Sequence, residues 1–244
     1  MTAGPLLAVD GLTRSFGGLR AVHDLRFSIA PGEIVGLLGP NGSGKTTVLN
    51  LISGALVPDR GSIRLREREL VGVPAFRIAR LGVARTFQLV RIFASMSARE
   101  NVAAGLAFGA QPRFARAARD EASTLLERVG LAAQADRPAG ELTYIDQKRL
   151  ELARALALAP SLLLLDEWLA GLNPAELAAG IELLRSLRSS ALTFLLVEHV
   201  MDAIRALCDH CIVMNAGALI SAGTPAEVLA DPAVVTAYLG ADDA

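Results

Sequence analysis

Short apolar runs and longer stretches of mixed polarity alternate along most of the chain. Leu6 to Val9 and Leu25 to Ile29 read as strands on either side of a Gly17-Gly18 turn, the second with alternating apolar positions. Pro31-Gly32 breaks the chain. Glu33 to Leu38 is an apolar strand, Thr46 to Ile52 begins a helix, and Ser62 to Leu65 is a short strand. From about Ser97 to Ala159 strand-like runs vanish and helical spacing takes over. Ala115 to Val129 keeps apolar residues at helical intervals and stops at Gly130, and Gln147 to Ala159 is a second helix, ended by Pro160. Beyond it come Leu162 to Leu165, Ala175 to Arg188, Thr193 to Val197, Met201 to Leu207 and Cys211 to Met214. This alternation predicts parallel strands with crossover helices. The expectation is an α/β fold with a mostly parallel sheet, an N-terminal β portion and an inserted helical subdomain.

Composition narrows this picture. A chain of 244 residues can build one large domain, and 52% hydrophobic against 20% charged residues excludes a disordered one. The net charge of −1 gives no bulk basic field for nucleic acid. The longest apolar runs, Leu162 to Leu165 and Ala191 to Val197, fall far short of the ~18 residues that span a bilayer. They have the length of buried parallel strands. No basic segment leads into an apolar one at the N-terminus, so a soluble, intracellular chain is expected. Cys208-Asp-His-Cys211 has no second pair of ligands and runs into an apolar strand, which favours two buried, reduced thiols over a redox or metal site.

The strongest chemical signal is Gly39-Pro40-Asn41-Gly42-Ser43-Gly44-Lys45-Thr46. It matches G-x-x-x-x-G-K-[ST], with a strand before it and a helix after. Glycines let the backbone approach phosphate oxygens, and successive N–H groups at a helix start favour an anion. Lys45 reaches the β- and γ-phosphates and the Thr46 hydroxyl coordinates Mg²⁺, so ATP with Mg²⁺ is expected. The strand Leu162 to Leu165 ends in Asp166-Glu167. A strand carboxylate beside a phosphate loop holds Mg²⁺ through its water shell, and the next one can polarise an attacking water. Gln88 and His199 carry no such signal by themselves.

Several segments together resemble the ATP-binding-cassette (ABC) ATPases. They are the loop 39–46, Gln88 after Arg85-Thr86-Phe87, Leu142 to Leu150, Leu162 to Glu167, Ala170-Gly171-Leu172-Asn173 and Glu198-His199, in that family's order. The resemblance covers nearly the whole chain. Phe16 to Val22, Ala84 to Phe93, and Gly223-Thr224-Pro225 with Ala237-Tyr238-Leu239-Gly240 resemble the importer subunits for branched-chain amino acids.

The resemblance implies a P-loop NTPase with a RecA-like core and an antiparallel N-terminal β portion. The domain would cover 6–240, with 1–95 and 160–240 as catalytic core and 96–159 as helical subdomain. Phe16 would stack on adenine with Val22 beside it, while the loop 39–46 and Thr47 hold the phosphates. Thr46, Gln88 and Asp166 would attend Mg²⁺. Glu167 would be the general base, Gln88 would contact the attacking water, and His199 would hold that water and the γ-phosphate. Gly171 and Asn173 would meet a second ATPase subunit. The implied protein sits on the cytoplasmic face of the plasma membrane against transmembrane permease subunits, and serves a solute-binding protein indirectly. Import of branched-chain or other hydrophobic amino acids leads; urea or amide uptake, lipid-linked export, a soluble ABC ATPase and a small-molecule kinase are alternatives.

One segment departs from the family. Where the signature is Leu-Ser-Gly-Gly-Gln, this chain has Leu142-Thr143-Tyr144-Ile145-Asp146. Thr143-x-x-Asp146 keeps the form of a capping box, so a helix should still start here. Ile145 replaces a glycine, and Asp146 adds negative charge at a helix start that would otherwise attract an anion. Lys148 and Arg149 are placed to offset that charge. The expectation is an asymmetric heterodimer in which the site completed by this segment hydrolyses slowly or not at all. Leu89, Val90, Ile92, Phe93 and Met96 are either a dock for a membrane subunit or part of the helical core.

Overall fold

The computed structural model describes residues 4–189 and 191–239, so Ser190 and Gly240 of the expected domain, and residues 1–3 of the expected core, lie outside it. β1 (Leu7–Phe16) and β2 (Leu19–Ile29) form an antiparallel hairpin across Gly17-Gly18, with Phe16 opposite Leu19 and Leu7 opposite Ile29. β3 (Ile34–Leu38) leads through the glycine loop into α1 (Lys45–Ile52). β4 (Arg60–Leu65) and β5 (Arg68–Glu69) complete an antiparallel sheet of order β2-β1-β4-β5.

α2 (Ala75–Leu81) and β6 (Val83–Arg85) follow. Then come α3 (Ala98–Phe108), α4 (Ala115–Arg128) and α5 (Tyr144–Leu156), packed on one another. The rest is β7 (Leu162–Asp166), α6 (Pro174–Leu187), β8 (Thr193–Val197), α7 (Met201–Leu207), β9 (His210–Asn215), β10 (Ala218–Gly223), α8 (Pro225–Ala230) and α9 (Pro232–Leu239). The second sheet has the order β10-β9-β3-β8-β7-β6; β10 is antiparallel to β9 and every other pair is parallel.

β3, β7 and β8 are buried at every position, as strands covered on both faces must be. Their alternate residues feed two apolar cores. Val35, Leu37, Leu164 and Val197 pack toward the antiparallel sheet and α1. Leu38, Leu165, Phe194 and Leu196 pack toward the helical side, where Val102, Leu126 and Leu150 join the same cluster. The helical block therefore shares one core with a sheet face rather than closing a core of its own.

α5 begins at Tyr144, three residues earlier than the apolar pattern suggests, because Thr143 caps it, and it ends at Leu156, three residues short of Ala159. β6, α2, β10, α8 and α9 are additional elements. Most are short, with few periods of pattern to read.

Candidate functional site

The phosphate loop owes its shape to its neighbours. At Gly39 φ is +144°, and a Cβ there would stand 2.1 Å from the Met214 carbonyl oxygen. At Gly44 φ is +104°, and a Cβ would stand 2.2 Å from the Ala21 carbonyl oxygen. Backbone cannot swing aside as a side chain can, so only glycine fits at either position. Gly44 opens α1, whose first turn carries no acidic residue. Its free N–H groups and the helix dipole favour an anion.

Lys45 is buried, and its Nζ donates to the Gly39 oxygen at 2.7 Å and the Pro40 oxygen at 2.9 Å. Burial pushes its pKa down, and Glu167 and Asp166 offset only part of that. Ser43 Oγ is buried without a hydrogen-bond partner, a defect that a phosphate oxygen would repair. Residues 41–47 line a cleft of about 500 Å³ together with Phe16, Arg20, Gln88 and Glu167. Phe16 is 44% exposed at the end of β1, with the Arg14 guanidinium 4.9 Å from its ring centroid. Val22 corrects the expectation. It is fully buried in the core beneath β2, and Ala21 lines the cleft in its place.

Glu167 sits just past β7 with φ +51°, a left-handed conformation rare outside glycine. Its N–H donates to the Val197 oxygen at 2.8 Å, which ties the turn to the end of β8. Gln88 Nε2 donates to Glu167 Oε2 at 2.8 Å, and His199 Nε2 lies 3.0 Å from Glu167 Oε1. Three residues far apart in sequence thus converge at the lip of the cleft. Asp166 is buried, and its Oδ2 accepts from Arg85 Nη2 at 2.7 Å; Arg85 also donates to Asn50 Oδ1 at 2.6 Å.

Leu142 to Asp146 lie outside this cleft, at the start of α5. Leu142 is buried and Tyr144 is 52% exposed. The Thr143 side chain accepts from the Asp146 N–H at 3.3 Å and its hydroxyl donates to Asp146 Oδ2 at 2.8 Å. Arg149 pairs with Asp146 Oδ1 at 3.4 Å, so it offsets that charge as expected. Lys148 does not. It turns inward and donates to main-chain oxygens of residues 167, 168 and 170. Asn173 caps α6 in a complete box with Glu176, and Gly171 precedes it with φ +76°.

No local sequence signal assigns a role at the site to Trp168, Glu198 or Tyr238, and Lys148 was expected beside Asp146 rather than here. Burial raises the Glu198 pKa to about 7, and Glu198 accepts from the Leu169 N–H at 2.6 Å. Tyr238 of α9 accepts from the Gly39 N–H at 2.9 Å, which brings the end of the chain onto the phosphate loop. Cys208 and Cys211 are free, buried thiols beneath Gly36 of β3, where a Cβ would meet their sulfurs at 3.1 and 3.3 Å. The apolar segment after Gln88 divides. Ile92 packs against the core, whereas Leu89 is 81% and Phe93 49% exposed. Phe87, Arg91, Phe93, Phe108 and Arg154 line a groove of about 380 Å³ beside it.

A strand, glycine loop and helix at the carboxyl end of a parallel sheet, with a paired carboxylate on a neighbouring strand, define a nucleotide-binding phosphate-loop ATPase. The ABC transporter family model matches residues 22–170, and the model for the C-terminal part of branched-chain amino acid ATP-binding cassette transporters matches 218–244. The high-affinity branched-chain amino acid transport ATP-binding protein LivG of Salmonella typhimurium is 46% identical over 250 residues, 97% of this chain and 98% of that protein. BraF of Pseudomonas aeruginosa, named for the same transport, is 43% identical over 252 residues, 97% of this chain and 98% of its own length. The crystal structure of the ADP conformation of an ATP-binding cassette of an ABC transporter superposes with a TM-score of 0.88 at 29% identity, covering 97% of this chain and 99% of that one. The chain belongs to the ABC transporter family and is an ATPase of that type. Among the described residues no helix is long and apolar enough to cross a membrane.

Proposed function

We propose that this chain hydrolyses ATP to energise an importer of branched-chain or other hydrophobic amino acids, from the cytoplasmic face of the membrane. The observation that carries the hydrolytic reading is the pairing of both Glu167 carboxylate oxygens, one with Gln88 and one with His199, at the lip of the phosphate-loop cleft. The solute class follows from the likeness to LivG and BraF.

In this reading Lys45 exchanges the Gly39 and Pro40 oxygens for the β- and γ-phosphates. Phe16 stacks on the base. The Thr46 hydroxyl, and the Gln88 amide oxygen left free while its nitrogen holds Glu167, are hard donors suited to Mg²⁺. Asp166, held by Arg85, would add a carboxylate to the surroundings of a bound ion. The ion, when bound, neutralises charge on the phosphates. Glu167 takes a proton from the attacking water, and Gln88 and His199 keep its carboxylate and that water in line. Phe93, Leu89 and the groove beside them face permease subunits, a second ATPase subunit meets Gly171 and Asn173, and a solute-binding protein acts through the permease.

The test is the purified complex of this chain with its permease subunits. ATP hydrolysis should require those subunits and rise with substrate-loaded binding protein. Glu167→Gln in this chain should cut turnover by roughly two orders of magnitude or more while nucleotide binding persists. Hydrolysis by the isolated chain that permease and solute leave unchanged would instead mark a soluble ATPase.

A further inference from the structure

Lys148 is 2% exposed and outside the machinery described above; burial pushes its pKa down, and Glu198, Glu151 and Glu167 oppose that. It lies in α5, one turn past the cap. Its Nζ reaches the Trp168 oxygen at 2.9 Å, the Ala170 oxygen at 2.9 Å and the Glu167 oxygen at 3.3 Å. An ammonium has three donors, and here each has a main-chain acceptor. The contact is returned, because Trp168 Nε1 donates to the Lys148 carbonyl oxygen at 3.1 Å. From the other side Glu198 Oε1 accepts the Leu169 N–H at 2.6 Å. The turn 167–170 is therefore gripped from α5 and from the end of β8. It needs to be, since Glu167 stands at φ +51°, which an L residue keeps only when its surroundings impose it.

We propose that Lys148 is a positioning residue for Glu167: its ammonium gathers the carbonyls of the turn 167–170 and thereby aims the Glu167 carboxylate into the cleft. The proposal rests on Glu167 being the base for hydrolysis, and the experiment separates the two. A purely structural ammonium would support folding and nucleotide binding alike. A positioning ammonium affects turnover, because the phosphate loop is built from other elements.

The assembled transporter is prepared with Lys148→Met, Lys148→Arg and Glu167→Gln in this chain, and kcat, KM for ATP and melting temperature are measured. Lys148→Met should lower kcat tenfold or more with KM within twofold. Lys148→Arg, which still donates to carbonyls, should recover part of the loss. Removing Lys148 also takes away the positive charge that favours ionised Glu198. The double variant Lys148→Met/Glu198→Gln removes that charge, still lacks the clamp and should remain slow. If Lys148→Met does not fold, the double variant and Lys148→Arg decide.

The proposal is overturned if kcat stays within twofold, if KM rises in step with the loss, or if the double variant regains turnover. Full activity in Glu167→Gln would instead overturn the hydrolytic role of Glu167.

Discussion

At the residue scale the site divides by how its chemistry is encoded. Lys45, Thr46 and Glu167 stand at fixed spacings within one strand and loop, so local sequence reveals them. Lys148 and Tyr238 act only through partners that the fold supplies, and nothing in their neighbourhood distinguishes a clamping lysine from a solvated one. Val22 beside the base is what the resemblance alone implies, and the local backbone decides otherwise. Register shifts break the β1–β2 ladder, so strict alternation cannot be carried along β2 to decide which residue turns outward. Tyr238 allows a direct check of a contact that only the fold shows. Its hydroxyl is the acceptor for the Gly39 N–H, and Tyr238→Phe leaves that donor without it. An unpaired buried donor costs about 1–3 kcal/mol. Urea unfolding should register a loss of that size, whereas an unchanged midpoint would show that water or the loop itself replaces the hydroxyl.

At the element scale the apolar runs of the buried parallel strands and the long helices were legible, because burial on two faces leaves an unbroken signature. β1 and β2 extend well beyond their apolar stretches, since exposed Arg20, Asp24 and Arg26 break up the pattern while the ladder continues. Helix starts follow their caps more closely than their apolar periodicity. Ser97, Asn173 and Thr224 each form a complete box with a glutamate three residues on. Thr143 makes only half of one, because Asp146 is a methylene shorter and turns its carboxylate to the Thr143 hydroxyl. The remaining half still sets where α5 begins. Thr143→Ala should therefore lower stability by about 1 kcal/mol, seen as a fall in melting temperature. No change would mean that the contacts of Lys148 and Arg149 set the start of α5 without a cap.

At the scale of the whole molecule, the proposed dimer would set two unlike faces of the chain against nucleotide. Its own cleft has the glycine loop, a buried lysine and a doubly held glutamate. If the start of α5 closes over a partner's ATP, as we propose, Ile145 stands where that backbone would approach a phosphate. Asp146 adds a carboxylate at the helix N-terminus, where a phosphate would otherwise be favoured. Arg149 at 3.4 Å offsets this charge only in part, since the salt bridge is partly exposed, and Lys148 is committed to the turn after Glu167. Two copies of this chain would pair every competent loop with an altered signature. A partner with an unaltered signature would leave one good site, built on this chain's loop. Glu167→Gln in this chain alone should then abolish nearly all single-turnover hydrolysis by the assembled pair. The equivalent change in the partner should cost little. Substantial hydrolysis remaining after Glu167→Gln would show that Ile145 and Asp146 support turnover on the partner's ATP and that the two sites are equivalent. In the asymmetric case, Ile145→Gly with Asp146→Gln in this chain should restore hydrolysis at the second site, because together they remove the branched side chain and the charge.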